Sequence, residues 1–284
     1  PVKYFLGENF DAVMYQEYGP EYYGFPPSKN YVFQKPPQFS TRPDGFAPVF
    51  SFAQGGLAEA WTGGVYPFND HDLADYPFTY SDIEPYYSEV AGRIGLTGAD
   101  DDLKRFFPFH GNIQKPLDLD EHSRLFMSAY EKHREYLNTG LGCYVGRSRL
   151  ALIRDDRDGR KGCSYCGRCI WGCPSGAFYT PLITLKECIK YPNFKYVTGM
   201  YVTHFTADSN CRVTGVVAES LADSSVHEFD AQRVILAAGT LCSSKIILDS
   251  IRRTTGETAR LGGLMDNRQI LMPFVNLKMI GRQF

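Results

Sequence analysis

The chain has 284 residues, 43% of them hydrophobic and 22% charged, with 30 basic against 32 acidic side chains and a formal net charge of -2. That is enough material for one or two packed cores, and such an even balance gives no electrostatic reason to expect nucleic acid or an anionic membrane as partner. No uncharged apolar run approaches the roughly 18 residues of a membrane helix; no basic-then-apolar leader is visible, but the start of the protein is expected to be missing, so the location is left open with a cytoplasmic setting favoured.

Residues 1 to 50 are rich in Pro, Tyr and Phe. GPEYYGFPPSKN and KPPQFSTRPDG read as extended loop with turns, packed by rings. FAQGGLAEAWTGGV (52 to 65) is bracketed by glycine pairs. Gly55 and Gly56 can take positive φ and present N–H groups to an anion or a ring edge, with Trp61 beside a planar ring. The other reading is a tight turn around a core Trp. Residues 79 to 95 predict a helix with Ser81 as N-cap, Glu84 closing a capping box, Pro85 in the first turn and Gly95 as the stop. Residues 118 to 137 predict a second, with Leu125, Phe126, Ala129 and Tyr130 on one face. His122 and His133 fall outside any ligand spacing and read as solvated or capping residues.

A short helix is expected over 181 to 190. The period then changes to two, and 196 to 207, 212 to 219 and 224 to 231 read as strands of a meander, with turns at 208 to 210 and 222 to 223. RVILAAG (233 to 239) is a continuous apolar run and suits a buried parallel strand, followed by a helix at 243 to 253. Ligands in dinucleotide folds sit at the carboxyl ends of such strands. Small residues there let a backbone approach a cofactor, and Thr240 is placed to cap the helix. A tight strand-to-helix turn of any α/β protein explains the same residues.

Of eight cysteines, four crowd into CSYCGRCIWGCP as C-x2-C-x2-C-x3-C-P, the spacing of the bacterial ferredoxin run. A disulfide framework would spread its bridges more widely. Cys163, Cys166, Cys169 and Cys173 are candidate ligands of an iron–sulfur cluster, with Cys143 in reserve. Zinc and a purely structural thiol loop are the alternatives. Cys188, Cys211 and Cys242 read as core residues.

Three blocks, FAQGGLAEAWTGGVYPF, YPFTYSDIEPYYSEVAGRIGLTG and RVILAAGTLCSSKIILDS, stand in one order. Their order and wording resemble the glucose–methanol–choline (GMC) family of FAD-dependent oxidoreductases, over roughly residues 46 to 275. The resemblance implies an α/β, mixed α+β fold: part of a Rossmann-like FAD-binding fold with a β-meander, plus the start of a substrate domain. It divides the chain at 1–98 (flavin loop), 99–161 (inserted cap), 162–260 (cysteine run and second half of the FAD domain) and 261–284 (substrate domain). By analogy Gly55, Gly56, Ala60, Trp61, Gly63 and Gly64 lie along the flavin, and Val202 meets the adenine. Ala237, Ala238, Gly239 and Thr240 approach the ribityl and pyrophosphate.

Ala60 stands where some relatives tether flavin through a His, so FAD is expected without a covalent bond. Ser244 stands where the family signature has Pro. The family's G-x-G-x-x-G turn is absent, and its catalytic His would follow Phe284. No catalytic residue is therefore assigned. The chain reads as the middle of an enzyme that oxidises an alcohol, sugar or sugar acid by hydride transfer to flavin, inactive by itself. Some membrane-linked sugar dehydrogenases of the family carry a cysteine-bound cluster, which implies an electron-accepting partner. The alternatives are an iron–sulfur electron-transfer module and a non-catalytic flavin-fold subunit.

Overall fold

A computed structural model describes residues 26–42, 44, 48–265 and 277. The substrate-domain start expected at 261–284 lies outside the described residues beyond 265, apart from Leu277. The fold mixes helices with small sheets and divides into two compact units. One is Pro1–Asn30, Leu57–Leu185 and Met272–Phe284; the other is Tyr31–Gly56 and Lys186–Leu271. The boundaries expected at 98/99 and 161/162 both fall inside the first of these.

In the first unit, helix α1 (Tyr80–Ile94) ends at Gly95, whose N–H reaches the Ala91 carbonyl at φ 79°. Its start corrects the sequence reading. Thr79 is the N-cap and Asp82 closes the box, accepting from the Thr79 backbone N–H at 2.8 Å. That bond and the Thr79 hydroxyl hold the Asp82 carboxyl below its usual range. Glu84 instead accepts from Ser88 Oγ, and Pro85 lies within the helix, past its first turn.

Strands β1 (Leu96–Thr97) and β2 (Ile113–Gln114) pair in parallel. Helix α2 (Glu121–Glu135) is capped by Asp120, which accepts from Ser123 N at 2.7 Å. Only Tyr130 of the expected apolar face is buried; Leu125 and Phe126 are exposed. Tyr130 and Arg134 both donate to Asp102 and hold its carboxyl well below the usual range. A π turn (Tyr136–Gly140) continues α2. In helix α3 (Pro181–Cys188) the chain passes to the second unit.

The hub of the first unit is the segment 149–153, which periodicity does not reveal. Leu150 exchanges both backbone bonds with Thr97 at 2.9 Å, Val65 N donates to Arg149 O and Ala151 N to Gly63 O. Tyr179 N donates to Ala151 O, and Ile153 N to Ala177 O. Leu152, Ile153, Ala177 and Phe178 form the core cluster. Arg149 is 1% exposed. A buried charge needs partners, and its guanidinium donates to the carbonyls of Pro108 and Phe107, both at 2.7 Å.

The second unit holds the expected meander: β3 (Met200–Ala207), β4 (Val213–Ser220) and β5 (Val226–Asp230), all antiparallel. Helix α4 (Thr240–Thr255) lies on β3, where Ser250 Oγ accepts from Phe205 N at 2.8 Å. Phe39, Phe50 and Phe52 of the aromatic-rich start meet edge to face. The buried parallel strand is not there. Residues 233–239 form no strand, and Ile235 is 89% exposed. A parallel strand needs ladder partners, and no described residue pairs with this run.

Candidate functional site

The glycine-bracketed loop is fastened to the segment that follows the cysteine run. A 3₁₀ turn (Gly56–Glu59) leads to Trp61, whose indole N–H donates to the Tyr179 carbonyl at 3.0 Å. The indole meets Phe178 edge to face at 5.9 Å and Tyr179 at 6.5 Å. At Gly63, with φ +74°, a Cβ would stand 2.5 Å from the Phe178 ring. Core packing therefore accounts for this glycine. Gly64 bridges Leu150, and Ala60 N closes the 3₁₀ turn on Leu57 O.

Glu59, one residue before Ala60, is 5% exposed. Burial raises its pKa above the usual glutamate value, while hydrogen bonds from Thr180 and from the Leu182 backbone N–H pull the other way. A carboxylate on the first N–H groups of α3 is favoured by the helix dipole. The motif reading passes over Glu59; its signal is a lone acid inside an otherwise small and apolar loop.

Gly55 (φ 93°) and Gly56 (φ 64°) belong with the second unit, as do Val202 and residues 237–240. A Cβ on Gly56 would meet nothing within 4 Å. Val202, half-buried in β3, pairs with Ala218. Ala237, Ala238, Gly239 and Thr240 are exposed. Gly239, not Thr240, is the N-cap of α4, at φ 78° and without a side-chain hydrogen bond. A local side-chain bond runs from Ala238 N to Ser243 Oγ at 3.1 Å. With no acid in the first turn and no side-chain bond from the N-cap, the partial positive charge at the start of this 16-residue helix has no charged side chain of its own first turn to offset it.

The four cysteines of the run lie close enough for Cys163, Cys166 and Cys173 to act electrostatically on Cys169. Among the described residues no three His, Cys, Asp or Glu side chains are grouped to hold a metal. Cys163, Cys169 and Cys173 pack against the core cluster instead, and Cys166 is exposed. Cys163 Sγ accepts from Tyr165 N at 3.4 Å. Burial, and then the nearness of Cys173, Cys163 and Cys166, pushes the Cys169 thiol up. Burial opposes ionisation of Cys173 too, but Ser175 and the N–H groups of Phe178, Ser175 and Ala177 bring that thiol below its usual value.

His110 is 6% exposed and stacks on Tyr87 at 5.7 Å; burial lowers its pKa. No helix among the described residues is long and apolar enough to cross a membrane.

Residues 149–261 match the family model described as GMC oxidoreductase. The chain is also similar to 6'''-hydroxyparomomycin C oxidase of Streptomyces lividus, at 25% identity over 179 residues. That alignment covers 62% of this chain and 31% of the relative, so the chain spans about a third of the relative's length.

Proposed function

We propose, from the match of residues 149–261 to the GMC oxidoreductase family model, that this chain is part of an FAD-dependent oxidoreductase of that family acting on a CH–OH donor. The observation that carries the reading is the bare start of α4. Small residues, a glycine N-cap at positive φ and uncompensated helix N–H groups suit an anionic cofactor's phosphates. Ala237, Ala238, Gly239 and Thr240 would hold that part of FAD, and Val202 the adenine side. Gly55, Gly56, Ala60, Trp61 and Gly64 would border the flavin. Trp61 offers ring surface only, because its N–H is engaged. Gly63 already fits against Phe178 and needs no flavin to explain it.

FAD, when bound, supplies a two-electron acceptor for the donor's hydride. What these residues supply is backbone donors at the phosphates and a bed free of bulky side chains. A Rossmann-like fold follows from the family alone. The donor is an alcohol, sugar or sugar acid; a relative named as an oxidase of a hydroxylated compound agrees with that class. Ala60 lacks a nucleophile, so the flavin is held non-covalently.

The full natural protein tests this reading. Acid denaturation should release free FAD, and anaerobic addition of a CH–OH donor should bleach the bound flavin. Protein that purifies without flavin and takes none up refutes it. Peroxide yield against artificial-acceptor reduction then separates an oxidase from a dehydrogenase that serves a partner.

A further inference from the structure

Away from these residues, the first unit carries an open cleft of about 570 Å³. Lys115, Arg124, Arg147 and Arg154 supply four cations to its lining, and Asp118 a single carboxylate. Two of the guanidinium groups are fixed by the loop they overlie. Arg154 Nη1 donates to Pro116 O at 2.5 Å, and Nη2 reaches both Asp118 oxygens, at 3.1 and 3.2 Å. Arg147 Nη2 donates to Leu117 O. A guanidinium has five donors in a rigid fork, so both arginines keep donors in hand while losing little freedom on binding.

The other two cations are unmatched. Among the described residues, the exposed Lys115 and Arg124 side chains make no hydrogen bond or ion pair. The neighbouring acids are committed elsewhere. Asp120 caps α2 through Ser123 N, and Asp101 accepts from the Arg147 backbone N–H at 2.6 Å.

We propose that this cleft is a binding site for a small ligand carrying at least two phosphate or carboxylate groups. One anionic group engages the Arg147 fork. A second is required to reach Lys115 and Arg124, which come from a loop and from the first turn of α2. Asp118 is the built-in competitor for Arg154. Its carboxylate is 73% exposed, and its backbone N–H donates to Tyr165 Oη at 3.0 Å. The loop therefore stays anchored when a ligand displaces the carboxylate.

Calorimetric titration of the full protein at low salt, with pyrophosphate, citrate and orthophosphate as separate probes, tests the site. Either or both of the first two should bind at least about tenfold more tightly than orthophosphate, as multidentate charge-assisted contacts require. The stronger of the two identifies the ligand as phosphate- or carboxylate-bearing. The double variant Lys115→Ala/Arg124→Ala removes two exposed side chains without internal partners, so the fold is spared, and it should lose about tenfold in affinity. Asp118→Asn should tighten binding several-fold. Lys104→Ala, an exposed cation paired with Asp100, should change nothing. Equal affinity for all three probes overturns the proposal, as does equal weakening by Lys104→Ala and the double variant.

Discussion

Two turns with the same left-handed glycine behave oppositely in this chain. Gly63 and Gly239 have φ of +74° and +78°, and each lies in a motif block that singles it out in the sequence. Around Gly63 the chain is closed in: Phe178 fills the space a side chain would take, Trp61 is tied to Tyr179 O, and Ala151 N bonds to Gly63 O. Around Gly239 it is open: a Cβ would meet nothing within 4 Å, and Ile235 in the apolar run before it is 89% exposed. The backbone angle is a local property that residue type sets. Whether a turn is a piece of core or a surface for something else is decided by segments far away in the chain.

The sharpest way to break that contrast is to put the same methyl group at both turns. Gly63→Ala should lose about 2–4 kcal/mol, from the left-handed penalty plus forced overpacking against the Phe178 ring. Gly239→Ala should lose only about 1 kcal/mol, from the conformational penalty alone. Urea unfolding of the two variants checks the difference. Equal losses would mean that Phe178 yields, or that Gly239 is packed after all.

A smaller effect is expected at Glu59, where the closed loop buries a carboxyl. Desolvation is the leading cause of its raised pKa. An acid whose folded pKa is raised binds its proton more tightly when folded. Its contribution to stability is complete below the unfolded value and is lost as pH rises through the folded one. Glu59→Gln keeps an oxygen for Leu182 N and removes the titration. The ordinary glutamate value is 4.5, so the pH-dependent part of the difference in melting temperature should vanish at about pH 4 and below. Toward neutrality the difference should grow in favour of the Glu59→Gln variant. A difference that is flat with pH contradicts desolvation as the governing effect.

The same division explains what can be read from the sequence. The helices over 80–94 and 121–135 and the three-strand meander announce themselves through local period and turn residues, and they are found within a few residues of expectation. The cap of α1 lies two residues before the expected one because TYSD offers two hydroxyls, and the acid three after Thr79 decides between them. The hub at 149–153 is hidden because RSRLALIR looks too charged to be central. The chain buries Arg149 by turning its guanidinium onto two carbonyls that no spacing rule connects to it. The cysteine run carries the spacing of a cluster loop, yet Leu152, Ile153, Ala177 and Phe178 draw three of its thiols to the core. Of the expected flavin bed, glycine content is legible and its environment is not.

The smallest expected effect tests the open half of the comparison. Ile235 lies in the apolar run that spacing assigns to a buried strand, yet it is 89% exposed. Replacing an exposed side chain away from packing or hydrogen bonds changes stability by less than about 0.5 kcal/mol. Ile235→Asp should therefore leave the unfolding midpoint of this chain almost untouched. Burying an unpaired carboxylate within a sheet is a different matter, costing several kcal/mol. A large loss would show that residues 233–239 are covered in solution and that the motif's strand reading holds beyond the contacts described for it. A negligible one leaves Ile235 as an uncovered side chain in the approach to the α4 start, whose first turn carries no acid to compete with an anion.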